Sequence, residues 1–216
     1  MRITKFGHAC VRLQATTADG EDAVVVLDPG GFTEPEAVDG ATAVLITHEH
    51  ADHYAADTLR RTDATVFTIE AVAAKIRDEA PDVAERVTVV RPGDTLDLGI
   101  PATVVGEKHA VIHPELPHFD NSGYLLDLGD ITVFHPGDAL TVPSQDVDLL
   151  LLPVSAPWLK VSECIDYARE VGAQRSLGIH DAIYSDTGHA VITPQLQRFV
   201  GERAQTYVRL QPGQDL

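Results

Sequence analysis

Three histidines and an aspartate lie within six consecutive positions of the chain. The segment T-H-E-H-A-D-H-Y follows the apolar residues 43–46, which are typical of a short buried strand. In an extended backbone alternate side chains point to the same side, so two of the histidines can face one point. Imidazole binds zinc, iron and manganese, and a carboxylate adds the negative charge that two cations require. The segment predicts a metal site formed by His48, His50, Asp52 and His53.

Three further apolar segments run into residues of the same chemical kind. One precedes His109, the second precedes Asp138 within H-P-G-D, and the third precedes His180. Ligands at the ends of separate strands can converge on one edge of a sheet, where the scaffold is rigid and the loops are free to differ. This convergence is stronger evidence for a site than any single motif.

The loop of residues 106–122 holds three candidate histidines without any periodic pattern. Long irregular loops are often functional. His109 is the preferred ligand because it lies nearest to the preceding strand, whereas His113 and His118 are flanked by prolines that suit an outward-bulging loop.

In these residues the chain resembles the metallo-β-lactamase fold superfamily, whose signature is H-x-H-x-D-H after a core strand, then a later histidine, an aspartate in a G-D context and a last histidine. The resemblance implies an α/β (α+β) fold, a four-layer αββα sandwich, with residues 1–216 as a single domain. The segments G-H-A-C, L-D-P-G and I-H-D are similar to those of compact hydrolases of the ascorbate-phosphate lactonase and uncharacterised metal-dependent hydrolase branches.

The resemblance also implies a division of seven ligands between two divalent metal ions. The first ion would be held by His48, His50 and His109, and the second by Asp52, His53 and His180. Asp138 would bridge the two ions. A water acidified by both cations would lose a proton to become a bridging hydroxide, which would cleave an ester, lactone or phosphodiester bond of a small substrate. Asp52 and Asp138 are then the catalytic carboxylates, and Asp52 would orient that hydroxide or take its proton. Zinc is the expected metal, with manganese and iron as alternatives.

Two other functions stay open at this point. Some members of the fold use one iron for redox chemistry on thiols with the same opening motif, and His180 would then be dispensable for metal binding. A metal-binding or scaffold protein without turnover is the second alternative. The complete ligand set argues against the second alternative.

Four residues near the predicted strand ends have two interpretations each. His8 follows a predicted strand and Asp28 ends one, so each is either part of the site or a turn residue bonded to the backbone. Trp158 and Lys160 are candidates for the substrate entrance, although core packing for Trp158 and solvent exposure for Lys160 are favoured.

The hydrophobic pattern predicts the elements that position these residues. Strands are expected at 2–6, 11–14, 23–28, 43–46, 65–68, 87–90, 95–98, 100–105, 123–128, 131–135, 147–152, 176–179 and, as an edge strand, 206–210, with a turn at 19–22. Helices are expected at 55–61, after a Thr68 N-cap, between a Ser162 cap and Gly172, and at 195–203 after Thr193 and Pro194.

The amino-acid composition limits which binding partners and which cellular compartment are expected. Lys and Arg number 16 against 33 Asp and Glu, a formal net charge of −17, which repels polyanions and disfavours nucleic acid and anionic membranes. The two cysteines, Cys10 and Cys164, form no disulfide framework, and no segment is apolar enough for a signal peptide or a membrane span. A cytoplasmic protein acting on a small molecule is expected. Substrate, metal identity and oligomeric state do not follow from these residues.

Overall fold

The computed structural model describes residues 1–17 and 20–216, so Asp19 of the predicted 19–22 turn lies outside the described residues. The strands are β1 (Arg2–Lys5), β2 (Val11–Thr16), β3 (Asp22–Leu27), β4 (Ala43–Ile46), β5 (Thr65–Thr68), β6 (Val87–Val89), β7 (Thr95–Asp97), β8 (Pro101–Val105), β9 (Gly123–Asp127), β10 (Thr132–His135), β11 (Leu149–Pro153), β12 (Arg175–Ile179) and β13 (Thr206–Val208). The α-helices are α1 (Ala56–Leu59), α2 (Glu70–Glu79), α3 (Val161–Val171) and α4 (Asp186–Gly201), and 3-10 turns lie at Pro35–Val38 and Ala84–Arg86.

The strands form two mixed sheets. The first has the order β1-β2-β3-β4-β5-β6 and the second β13-β12-β11-β10-β9-β8-β7. Strands β3 to β6 are parallel to one another, as are β10 to β13, whereas the remaining pairs are antiparallel. Parallel neighbours end at the same edge of a sheet, so the segments that follow β3 and β4, and those that follow β10, β11 and β12, begin side by side.

Three hydrophobic layers hold the sheets and helices together. In β3 alternate side chains face opposite sides, so Leu27 packs between the two sheets while Val26 packs toward α1 and α2. On the far side of the second sheet, Leu150 of β11 contacts a cluster that includes Ala168 of α3 and Leu196 of α4. The layers therefore run helix, sheet, sheet, helix, and the predicted four-layer αββα sandwich is confirmed.

The strand predictions agree with the structure to within two residues at each end, and β13 is an edge strand as expected. No helix among the described residues has the length and apolar character needed to cross a membrane.

The predicted start of the last helix is wrong. Helix α4 begins nine residues earlier than residue 195, at Asp186, where Ser185 accepts a hydrogen bond from the backbone N–H of Gly188 and caps the helix. Pro194 lies inside the helix instead of opening it. A proline there removes one helical hydrogen bond, and the burial of Leu196 and Val200 against the second sheet offsets that loss.

Two predicted caps are also wrong. The Thr68 hydroxyl donates to the carbonyl oxygen of Ile46 at 2.9 Å and ties β5 to β4, and α2 begins two residues later. Ser162 lies inside α3, which starts after Lys160, whose backbone N–H donates to the Glu163 carboxylate at 2.9 Å. In each case a hydroxyl near a helix start is an ambiguous signal, because strand hydrogen bonds and neighbouring residues compete for the cap position.

Candidate metal centre

The structure brings all seven predicted ligands together where loops from both sheets meet, and it adds an eighth residue. They form two groups, and within each group ligand atoms lie within 4.8 Å of one another. The first group is His48, His50, His109 and Asp138; the second is His8, Asp52, His53 and His180. In the first group the Nε2 atom of His48 and the Nδ1 atom of His50 face each other 3.0 Å apart.

The Asp138 carboxylate lies between the two groups. One oxygen, Oδ2, is 3.4 Å from His109 Nε2 in the first group and 3.2 Å from His180 Nε2 in the second. The other oxygen, Oδ1, is 3.2 Å from His53 Nε2. A carboxylate in this position can contribute to both groups at once.

Several buried polar atoms of the two groups are of the kind that bind metal ions. Among the described residues, four of these site atoms have no hydrogen-bond partner: His53 Nε2, His109 Nε2, His180 Nε2 and Asp138 Oδ1. An unpaired buried polar group costs about 1–3 kcal/mol, so a cluster of them requires a function. Imidazole nitrogen and carboxylate oxygen are the donor set that suits zinc, iron and manganese, and the cluster therefore fits divalent cations.

The Nδ1 atoms of four site histidines are held by the protein. Hydrogen bonds from Nδ1 leave Nε2 free to bind a metal, as is usual for metal-bound histidines. The bonds are His48 Nδ1 to Thr47 Oγ1 (3.0 Å), His53 Nδ1 to Asp28 Oδ2 (2.7 Å), His109 Nδ1 to the Ala110 carbonyl (2.6 Å) and His180 Nδ1 to the Ser155 carbonyl.

Asp28 holds one histidine of each group. Its buried carboxylate accepts from the backbone N–H and the hydroxyl of Thr47, both at 2.8 Å, and from the His53 ring. Thr47 in turn accepts from His48, so His53 is oriented directly and His48 through one hydroxyl. Asp28 has φ of 47°, a left-handed conformation that aspartate tolerates at the end of a strand. Of the two interpretations that the sequence allowed for Asp28, the structure supports a place in the site.

His8 also belongs to the site, where its ring donates a hydrogen bond to Asp52 instead of binding a metal. Its Nδ1 atom accepts from the backbone N–H of Ala182 at 3.2 Å, so the neutral ring carries its proton on Nε2. That Nε2–H donates to Asp52 Oδ2 at 3.1 Å. A nitrogen that carries a proton cannot bind a metal, and His8 therefore orients Asp52.

We expect His8→Phe to weaken metal binding by the second group by about 10–100-fold, because Asp52 loses the donor that orients it. His8→Gln is the matched control, since its side-chain amide can still donate to Asp52 and both replacements meet the same positive φ of 56° at this position. Titration against a chromophoric chelator measures both affinities. Equal losses in the two variants would show that the hydrogen bond is not what matters.

Ionisation in the metal-free site follows from burial and from neighbouring charges. Burial lowers the pKa of His48 well below its usual range, which keeps the ring neutral. Burial alone would also lower the pKa of His180, but the negative charge of the nearby Asp138 carboxylate raises it to about 9. Burial would raise the pKa of Asp138, yet the positive charges of His53 and His180 hold it well below its usual range. A cation displaces protons from such a cluster, so metal affinity falls as the pH falls.

The structure separates the three histidines of the 106–122 loop. His109 is buried and belongs to the first group, whereas His113 and His118 are exposed. His118 Nε2 donates to the His109 backbone carbonyl at 2.8 Å, so it supports the loop from outside. The preference for His109 agrees with this arrangement.

Trp158 lies at the site, and the favoured interpretation of core packing is wrong. Its indole N–H donates to Asp138 Oδ2 at 3.0 Å, and its ring contacts His109 with centroids 5.9 Å apart. The sequence offered only its position after an apolar strand as a signal. Lys160, by contrast, is 79% exposed at its side chain and pairs with Glu163, which agrees with solvent exposure.

Glycine at position 137 permits the turn that presents Asp138. It has φ of +65°, and a Cβ atom there would lie 2.2 Å from Asn121 Oδ1 and 2.7 Å from Thr47 Cβ. We expect Gly137→Ala to lower the free energy of unfolding by about 1–3 kcal/mol more than Gly129→Ala, a control with φ of +87° and open space around it. Urea unfolding measures both, and equal losses would contradict the steric account.

Known proteins are similar to this chain in sequence and in fold. The protein Rv0786c of Mycobacterium tuberculosis is 37% identical over 199 residues, which cover 88% of this chain and 89% of the relative. A protein of Pyrococcus horikoshii, described as the UPF0173 metal-dependent hydrolase PH1671, is 22% identical over 228 residues, covering 100% and 99%. The structure of Igni18, described as a metallo hydrolase of Ignicoccus hospitalis, superimposes with a TM-score of 0.72 at 17% identity and covers 100% of this chain and 97% of Igni18.

The family model described as the beta-lactamase superfamily domain matches residues 2–180, a range that contains every member of the two groups. The resemblance inferred from the H-x-H-x-D-H motif is confirmed. The chain belongs to the beta-lactamase superfamily.

Proposed function

We propose that the chain is a metal-dependent hydrolase that uses two divalent cations, with zinc as the expected metal and manganese or iron as alternatives. His48, His50 and His109 would hold the first ion, and Asp52, His53 and His180 would hold the second. Asp138 would contribute to both. The observation that carries the proposal is the cluster of buried ring nitrogens and a carboxylate oxygen that lack partners within the protein. The description of the Pyrococcus relative as a metal-dependent hydrolase supports the reaction class.

When bound, the two cations supply a hydroxide nucleophile at neutral pH and polarise the ester, lactone or phosphodiester bond to be cleaved. The side chains have distinct tasks around that chemistry. Asp52 is 23% exposed at its side chain, so it can accept a proton from the nucleophile and pass it to solvent, and His8 fixes its orientation. Asp138 is 5% exposed and is held in place by the indole N–H of Trp158.

The same proposal includes the partners and the compartment. The formal net charge of −17 supports a small-molecule substrate over nucleic acid or an anionic membrane surface. Two free cysteines, Cys10 and Cys164, are fully buried and unpaired, which is compatible with the reducing cytoplasm.

Removing the metal is expected to abolish hydrolysis of p-nitrophenyl esters and of bis(p-nitrophenyl) phosphate, and adding zinc or manganese back is expected to restore at least one of these activities. Absorbance of released nitrophenolate measures both. Full activity in protein shown to be metal-free would contradict the proposal. A single bound iron with oxygen consumption on a thiol would favour the redox alternative, and bound metal without turnover would favour a scaffold.

A further inference from the structure

Exposed apolar side chains are concentrated in the loops that carry the site. Among the described residues, eight large apolar side chains are exposed. Five of them lie in the loops after β3, β8, β10 and β12, which also supply Asp28, His109, Asp138 and His180. These five are Phe32, Val111, Leu116, Val142 and Ile183. Exposed apolar residues gathered around polar groups are typical of a ligand site.

Three aromatic rings contact the histidines directly. The ring centroids are 5.3 Å apart for Phe32 and His8, 4.7 Å for Phe119 and His50, and 5.9 Å for Trp158 and His109. Phe32 is 56% exposed, and the other two aromatic side chains are half-buried, so each keeps a face toward solvent. Rings from three separate loops therefore give the approach to the metal centre apolar walls.

The lysines of these loops already have anionic partners. Lys108 forms an ion pair with Asp120, and Lys160 lies 3.2 Å from Glu163. The buried Lys5 is bonded to backbone carbonyls and to a carboxylate. A phosphodiester is charged at neutral pH, and apart from the metal ions the protein groups that select for such an anion are free arginine or lysine donors. These loops contain no arginine, and their exposed apolar side chains offer a surface on which an uncharged group can pack.

From this arrangement we infer that the substrate is an uncharged carboxylic ester or lactone with an aliphatic or aromatic group that packs on Phe32, Phe119 and Trp158. The inference rests on the proposed hydrolysis and selects one bond class from it. Water adds across the acyl C–O bond: its oxygen bonds to the carbonyl carbon, the C–O bond to the leaving oxygen breaks, and that oxygen takes a proton. The products are an alcohol and a carboxylic acid, or one hydroxy acid from a lactone.

The first test compares substrates of the zinc-loaded protein. For p-nitrophenyl esters from acetate to octanoate, kcat/KM is expected to rise by about two- to fourfold per methylene, as apolar surface is buried. Activity toward bis(p-nitrophenyl) phosphate is expected to be at least about tenfold lower than toward the octanoate. Phe32→Ser should flatten the chain-length series, whereas Val191→Ser, an exposed valine in α4, should leave it unchanged. A flat series in the unaltered protein, or a preference for the phosphodiester, would overturn the inference.

The second test measures binding without turnover. Trp158 is the only tryptophan, so fluorescence of the zinc-loaded protein reports on this site. The non-hydrolysable lactone analogue 2-hexylcyclopentanone is expected to alter that fluorescence with a Kd at least about tenfold lower than that of cyclopentanone. Equal affinities would contradict the substrate class. The predicted binding without hydrolysis of any ester would support the apolar site and count against the proposed hydrolase, so the two failures are distinguishable.

Discussion

Replacing Asp138 with alanine is expected to remove both metal ions together and to lower kcat/KM for ester hydrolysis by about 10³-fold or more. The Asp138 carboxylate lies 3.2 Å from the free ring nitrogens of His53 and His180 and 3.4 Å from that of His109. One substitution therefore removes a donor from both groups. Atomic emission of the purified protein gives metal per chain, and initial rates give the activity.

The matched control is Asp130→Ala, because Asp130 is an exposed carboxylate at the turn between β9 and β10. It should keep both metals and full activity. His50→Ala, like Asp138→Ala, is expected to lose both metals. If Asp138→Ala kept one metal with undiminished affinity, the carboxylate would not bridge the two groups.

The second large effect is expected at Asp28, which binds no metal in this account. Asp28→Ala should destabilise the fold by about 3–5 kcal/mol and weaken both metal sites by about 10–100-fold. The physical reason is that Thr47 and His53 lose the carboxylate that they share, and His48 loses the support of Thr47. Chelator competition measures the affinities, and urea unfolding measures the stability.

A substitution at Thr47 separates the support of His48 from the support of His53 in this hydrogen-bond network. Thr47→Val removes the hydroxyl that accepts from His48 but keeps the backbone N–H that donates to Asp28. It should weaken the first metal site and leave the bond between Asp28 and His53 intact. Equal weakening of both sites by Thr47→Val would show that the two groups are not oriented independently.

Much of the site is predictable because chemistry and strand ends coincide in the sequence. His48 to His53 follow a strand whose apolar residues are easy to identify, and Asp138 and His180 each follow another such strand. Loops at matching strand ends can converge, and the list of strands predicts that much. That these loops come from two sheets, with β4 in the first and β10 and β12 in the second, is seen only in the structure. The four-layer arrangement was implied by the resemblance of the metal motif, and strands such as β3 that are apolar on both faces are compatible with it.

The remaining residues depend on contacts between distant parts of the chain. His8 acts through a hydrogen bond from its Nε2 atom to Asp52. That role follows from the bond between the Ala182 backbone N–H and His8 Nδ1, which leaves the ring proton on Nε2. Trp158 reaches Asp138 across a loop that has no periodic pattern. The start of α4 was misplaced because Pro194 is a strong local signal for a helix start, whereas the burial that keeps it inside the helix is a tertiary effect.

A crystal structure of the zinc-loaded protein, with anomalous differences collected on both sides of the zinc absorption edge, tests the central claim most directly. We expect two peaks, one among His48, His50 and His109 and the other among Asp52, His53 and His180, with Asp138 contacting both. A single peak, or peaks away from these side chains, would contradict the account.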